Sequence, residues 1–482
     1  MRVIQMQLLA AGLARSKALS IAWRRINILQ RFLESDVSRT KRLYLMLAVL
    51  LLFLPRSFAQ VPSKHLPAYQ ELLRLNNTAQ YQSAIRQAKH LVEREPLFSA
   101  PYEELAIAFE KAGRINDGLL YLDSLRRRDP NNAYVYHALG SLENARNKPE
   151  QAIDYLKKSI SLDRQYTPAY LQLVTVYEAR KDLEAPTDYF QLLLKEDAKN
   201  AAAYYGLGSI HNLKKEWEKA TAALSQALEI NPQLIHAYYL KGLAHVNRRD
   251  LQAAQATWDK GRHAAAAASD IKLQSIMTGN LGNVHHDMGL LSKAIPLLEE
   301  ALNLARKLSD KKLEERHLSN LGNCYERTGR RREALKLFDE GLAIAQQLKD
   351  REFQEKLLHN KSAALVGMGE YTKAVEVASA ALRMAEARAD NRAVASHCRN
   401  IGSAYANLAN YPLALKVFNR ALSTMTELDD KQGICSLLMN IGNIYKEMGD
   451  TSKAIDSYNR MLDLARQIGS KPLEQSALGA LG

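Results

Sequence analysis

At 482 residues the chain has room for two to four ordinary domains, and with 24% charged and 47% apolar residues it is neither disordered nor mostly embedded in a membrane. A formal net charge of +14 points to nucleic acid or an anionic membrane only until the charge is located. Residues 1–60 hold ten Lys/Arg and two Asp/Glu, whereas the other 422 hold 56 and 50, so the body is near balance and a nucleic-acid partner loses its main support.

The leader, 1–60, comes first. Within "KRLYLMLAVLLLFLPRSFAQ" (41–60), a basic step precedes an apolar run of 12 residues (43–54), followed by Pro55 and the small-residue stretch Ser57-Phe58-Ala59. The run is too short to span a bilayer comfortably and reads as a secretory signal peptide cut after Ala59. The absence of a following cysteine argues against a lipoprotein. The expectation is export to the periplasm or beyond the cell, with membrane attachment only through an uncleaved signal. The residues upstream are Arg-rich and acid-free until Glu34, which makes mitochondrial targeting the alternative.

From 61 to 268 the chain repeats with a step of 34. Tyr102, Tyr136, Tyr170, Tyr204 and Tyr238 hold the step, with Ala106, Gly140, Gly208 and Gly242 four positions on and Ala84, Ala152, Ala220 and Ala254 later in the unit. From 269 to 482 the step becomes 40: Asn280, Asn320, Asn360, Asn400 and Asn440; Gly282, Gly322, Ser362, Gly402 and Gly442; Ala294, Ala334, Ala374, Ala414 and Ala454. Asp270, Asp310, Asp350, Asp390 and Asp430 keep it too, each placed where a helix N-cap belongs. Coincident ladders of this kind mark a repeat protein.

Each unit reads as a helical hairpin. In 201–232, Tyr204, Leu207, Gly208 and His211 share one face at 3.6 periodicity, and Ala220, Leu224 and Ala227 stripe the second helix. Gly208 and Ala220 are expected where the two helices cross closest. These residues resemble the tetratricopeptide repeat, and the 40-residue units resemble its extended subclass in kinesin light chain and the Pins/LGN adaptors. The resemblance implies an all-α, right-handed solenoid superhelix of about eleven helix-turn-helix units: six of 34 residues over 61–268, then five of 40 residues and a final partial helix over 269–482. Unit 167–200 departs most, with Val174 and Pro186 at small-residue positions, so a local distortion is expected there. A change of curvature is expected near 264–268.

Such a solenoid lines a concave groove with its first helices. Asn280, Asn320, Asn360, Asn400 and Asn440 fall on one helical face with Asn283, Asn323 and Asn443, three positions on in their units. An asparagine amide both donates to and accepts from a peptide backbone, so a ladder of them can hold an extended chain whatever its sequence. Kinesin-light-chain-like and Pins/LGN-like grooves imply the same role for these positions; the competing reading is that the amides bond neighbouring units. Against the carboxylate clamp of chaperone adaptors, Asn283, Asn320 and Lys356 match, but Gly279 stands for a Lys and Asn360 for an Arg, which argues against a strict clamp. Arg316, Lys356 and Arg399 add positive character that favours an acidic peptide. Tyr205 and Tyr239 point towards the groove and are available to stack on a ligand, unless ordinary packing takes them.

Catalytic signals are missing. There is no HExxH, G-x-S-x-G or P-loop, and no Cys/His cluster at zinc spacing. In His285-His286-Asp287, His285 occupies the position of Tyr325, Tyr405 and Tyr445, so it reads as a core substitution. Cys324, Cys398 and Cys435 lie in separate units and read as buried, inert thiols without disulfides. Arg330 to Arg332 read as a solvated turn after Thr328-Gly329. The last stretch, "SKPLEQSALGALG" (470–482), starts like another first helix capped by Ser470. The expected function is a non-enzymatic scaffold or adaptor that binds a protein or peptide, without metal, cofactor or small-molecule substrate. The alternatives are the sensory ectodomain of a truncated signalling protein and a structural scaffold that binds through its convex face.

Overall fold

The computed structural model describes residues 66–482, and the expectations for the leader lie outside them. The described residues form 23 helices and no strand. The shorter hairpins are α1 (Leu66–Asn77) with α2 (Tyr81–Arg94), α3 (Ala100–Lys111) with α4 (Ile115–Arg128), α5 (Ala133–Ala145) with α6 (Pro149–Leu162), α7 (Thr167–Ala179) with α8 (Glu184–Glu196), α9 (Ala201–Leu213) with α10 (Trp217–Ile230) and α11 (Ile235–Asn247) with α12 (Leu251–Ala267). The longer ones are α13 (Ile271–Asp287) with α14 (Leu291–Lys307), α15 (Lys311–Arg327) with α16 (Arg331–Gln347), α17 (Arg351–Gly367) with α18 (Tyr371–Ala387), α19 (Asn391–Asn407) with α20 (Tyr411–Glu427) and α21 (Lys431–Glu447) with α22 (Thr451–Gln467). A single helix, α23 (Lys471–Leu481), follows. No helix among the described residues is long and apolar enough to cross a membrane.

The change of period falls inside a hairpin. Helix α11 has 13 residues, as in the shorter units, but its partner α12 already has the 17 of the longer ones. Every aspartate of the 40-step column caps its helix: Asp270, Asp310, Asp350, Asp390 and Asp430 each accept the backbone N–H three residues on, at 2.9–3.1 Å. In the shorter units Asn200 does the same for α9 and also donates to the Tyr170 hydroxyl at 3.1 Å, tying the tyrosine column of one unit to the helix start of the next. Ser470 occupies the corresponding position before α23, but its hydroxyl makes no capping bond; only its carbonyl accepts, from Glu474 N–H.

Between first and second helices the chain turns in the left-handed region, with φ of +76° to +80° at Gly289, Gly329, Gly369 and Gly449. The fifth member of that column is Ala409, at φ +55°. An L side chain there is strained, by about 1–2 kcal/mol. Arg330–Arg332, next to Gly329, form a largely solvated turn with two added contacts. The Arg330 guanidinium lies 3.8 Å from the Tyr325 ring centroid, and Arg331 packs on α17 so closely that a Cβ at Gly367 would stand 2.4 Å from its Nε. Arg330 and Arg332 are exposed as the sequence suggested, and Arg331 alone is half-buried.

Hairpins are held by a knob from the second helix seated on a small residue of the first. A Cβ at Gly208 would lie 2.5 Å from Leu224, at Gly322 2.4 Å from Phe338, at Gly402 2.6 Å from Phe418 and at Gly442 2.4 Å from Tyr458. The close partner of Gly208 is therefore Leu224, one turn beyond the Ala220 that the repeat pattern suggested. Where the glycine column carries Ser362, the knob column carries Ala378: volume lost on one helix is returned on the other. Unit 167–200 is distorted as expected. Val174 leaves no recess for Phe190, which instead seats on Gly206 of the next unit, 2.5 Å from where a Cβ would be, and α7 and α8 approach each other least closely of the hairpin pairs.

Two stability outcomes follow from this packing. Gly322→Ser should cost about 1–3 kcal/mol by overpacking, and Phe338→Ala should cost a similar or larger amount by cavity formation. The pair together re-creates the Ser362/Ala378 arrangement, so its cost should be well below the sum of the two singles. Urea titration of the four proteins checks this, and strict additivity would refute it. Ala409→Gly should raise stability, by up to about 1 kcal/mol; an unchanged or lowered urea midpoint would contradict strain at that turn.

Candidate functional site

The first helices α13, α15, α17, α19 and α21 each lie against the next, while the second helices α14, α16, α18 and α20 make no comparable approach to one another. Curvature follows directly: the wall with the shorter spacing is the inner one, and it carries the asparagine column. Asn280, Asn320, Asn360, Asn400 and Asn440 are all half-buried along this seam. Asn360 Nδ2 donates to Ser319 Oγ of the preceding first helix, α15, at 3.4 Å, and Asn400 Nδ2 lies 3.4 Å from His359 Nδ1 and 3.5 Å from Ser362 Oγ. These bonds are long and leave amide capacity over. Asn280, Asn320 and Asn440 have no hydrogen-bond partner among the described residues, nor do Asn283 and Asn323, while Asn443 Oδ1 accepts from the Tyr458 hydroxyl at 2.8 Å.

Cations stand along the same wall. Arg316 and Lys356 are exposed, Arg399 is half-buried, and none has an acidic partner within ion-pair distance among the described residues. Burial and then Arg316 lower the pKa of Lys356, so these two cations feel each other. Lys356 also lies over the Phe353 ring, 5.4 Å from its centroid. Gly279 holds no cation because the room is taken: a Cβ there would meet His317 Cε1 at 2.3 Å.

Behind the exposed wall runs a buried polar seam that the repeat pattern did not single out. Ser275 Oγ is 3.1 Å from His317 Nε2. Glu355 accepts from Arg388 at 2.7 Å and lies 3.0 Å from His397 Nε2, whose Nδ1 is 3.3 Å from that of His359. The histidine links join one hairpin to the next, while Arg388 at the end of α18 ties Glu355 within its own. The signal was present in the sequence, since His317 and His397 stand in a column otherwise occupied by Met277, Leu357 and Leu437. A titratable ring in an apolar column marks a site where a partner must exist.

The shorter units fill their own interior. The Tyr166 hydroxyl donates to Glu103 Oε1 at 2.8 Å, bridging two units, and lies 3.2 Å from His137 Nδ1. Burial pushes the Glu103 carboxyl up to about 7 and the His137 imidazole down to about 4. Tyr205 belongs to this packed interior, with 2% of its surface exposed among Leu224, Ala227, Leu234 and Ala237, and so is not available to stack on a ligand. Its alanine-rich neighbours leave room for the ring to fold inwards. Tyr239 is half-buried and its carbonyl accepts from Trp258 Nε1 at 3.1 Å. The next turn of the solenoid also returns to the start: Asn77 Nδ2 donates to the Leu308 carbonyl at 3.0 Å.

No group of His, Cys, Asp and Glu among the described residues is arranged to hold a metal ion. His285 is buried in its tyrosine column, and burial lowers its pKa. All three cysteines are buried and unpaired, with burial raising the Cys324 thiol to about 11.

Tetratricopeptide repeat models match the chain in two sets, one over 273–347, 313–387 and 391–467, the other over 103–167 and 177–235. No curated protein matches it. Among solved structures, the crystal structure of BtubC (BKLC) from P. vanneervenii is 22% identical, with 46% of this chain and 92% of that one covered at a TM-score of 0.41. The crystal structure of MamA is 25% identical, with 34% and 97% covered at a TM-score of 0.25. At these scores neither likeness carries a functional inference.

The buried histidines set a pH dependence. His137, His317 and His359 are each held near 4 by burial, against 6.5 when unfolded, with neighbouring charges adding for the last two. Between those values the unfolded chain binds more protons, so stability is lost as pH falls through the window. Glu103, raised from 4.5 to about 7, and Glu104, also raised by burial, act in the opposite sense, but His236, His245 and His285, each lowered by burial, add to the loss. The urea midpoint should therefore drop from pH 7 to pH 5, and His317→Leu should make the drop shallower. An equal drop in that variant would remove His317 from the account.

Proposed function

The chain belongs to the tetratricopeptide repeat family, and from that premise we propose that it is a non-enzymatic scaffold which holds an extended, acidic peptide along the inner wall of the 40-residue units. The family's hairpins indicate protein interaction in general. The finer reading rests chiefly on one observation: Asn280 and Asn320 on the adjoining helices α13 and α15, and Asn440 on α21, reach the wall with amides that no described residue occupies. A half-buried amide that neither repeat uses is costly to hold without water or a ligand. An extended peptide answers it, because its backbone offers alternating donors and acceptors at every residue. Arg316, Lys356 and Arg399 supply the preference for acid. Binding belongs to the longer units, since Tyr205, Tyr166 and Glu103 are engaged with their own chain.

The two roles of the asparagines separate by experiment. Replacing Asn320, Asn360 and Asn400 together by Ala removes only the long bonds of Asn360 and Asn400 from the fold, so helical content should be kept. Capture of partner from the native compartment should fall by at least about tenfold, equivalent to roughly 1.4 kcal/mol. Undiminished capture by a folded triple variant would sink the ladder.

A further inference from the structure

Between α19 and α21 the inner wall opens into a cleft of about 300 Å³. The repeat ladder explains why. Ala395 stands where Glu315 and Glu355 stand in earlier units, and Gly433 stands where Leu273, Leu313 and Phe353 do. Side chains that fill the earlier seams are truncated here. Met425 takes up part of the space, its Sδ lying 2.9 Å from where a Gly433 Cβ would be, and with Leu437 it gives the cleft an apolar floor.

The acids vanish with the bulk. At the preceding seam Arg388 is matched by Glu355 at 2.7 Å and by Glu352 at 3.9 Å; one step on, the Glu352 position is Arg392 and the next is Gln432. Arg392, Ser396 and Arg399 follow one another by four and three residues, so they share one face of α19, and all three line the cleft. Neither arginine has an acidic partner within ion-pair distance among the described residues. Gln432 and Ser436 line it from α21, with the Ser436 hydroxyl donating to the Gln432 carbonyl at 3.2 Å. The one carboxylate at the rim, Asp430, is committed to the α21 N-cap through Gly433 N–H at 2.9 Å.

We propose that this cleft is an anion subsite, which receives the carboxylate or phosphate of one side chain of the bound peptide between Arg392 and Arg399. Two guanidiniums over an apolar floor repel each other until an anion lies between them, and their planar forks match the oxygens of either group. The cleft is at the small end of the ligand-pocket range, suited to one side chain rather than a folded domain. The proposal refines the groove reading given above: it places the acid preference at one seam.

The test uses the full chain and synthetic peptides of one extended neutral sequence, carrying Gln, Glu or phosphoserine at the centre, followed by fluorescence anisotropy. Glu or phosphoserine should tighten binding about tenfold over Gln, and Arg392→Gln with Arg399→Gln should bring all three peptides to one affinity. Whichever of the two acids gains more identifies the source of the anion. Equal affinities in the unmodified chain, or a preference that survives the double substitution, would overturn the subsite. A loss of the Gln peptide in the Asn320/Asn360/Asn400→Ala variant bears on the ladder alone. If no peptide binds at all, inorganic phosphate titrated against the chain decides: saturable binding lost in the double arginine variant supports the subsite, and its absence refutes it.

Discussion

The structure depends on one packing constraint, a bulky knob of each second helix seated on a side chain that is almost absent from the first. Phe338 on Gly322 and Tyr458 on Gly442 are typical, with no room for even a methyl group between them. The close approach fixes how each pair of helices crosses. With each hairpin fixed, neighbours can only stack, and small errors of angle would accumulate along the solenoid. The compensating pair Ser362 and Ala378 suggests that summed volume at the crossing, not glycine itself, is what the fold requires.

Stacked hairpins leave polar groups between them, and the chain deals with these in two ways. Deep in the seam, Arg388 and the next unit's His397 both meet Glu355, and His397 also meets His359. Nearer the surface the asparagines are only loosely engaged. A deep polar group without a partner loses its hydration outright, while one at the wall keeps access to water or to a ligand. Structural cross-links therefore lie behind the groove and recognition lies on it. The same column serves both ends where Asn400 reaches back to His359.

The two halves use the plan differently. In the 34-residue units aromatic side chains occupy the interior: Tyr134 and Tyr166 stack edge to face with centroids 4.9 Å apart, and Glu103 reaches across to Tyr166. In the 40-residue units the longer first helices carry smaller polar side chains at the wall, so the surface stays open. Truncation of Glu and Leu to Ala395 and Gly433 yields a seam where two arginines stand without acidic partners among the described residues.

The sequence by itself determined the hairpins, their count over the body of the chain, the two periods, the aspartate caps and the small-residue column. All of these are local demands, repeated until they stand out from noise. It also marked the asparagine column as a shared face, because spacing along one helix fixes which residues lie together. Only the tertiary structure decided that Leu224 and not Ala220 presses on Gly208, that Arg331 beds against Gly367, and that Tyr205 turns inwards. It also decided that His397 meets Glu355 and that Asn77 reaches Leu308, 231 residues away. Those outcomes depend on rotamers and on curvature summed over many units, and neither is encoded at any single position.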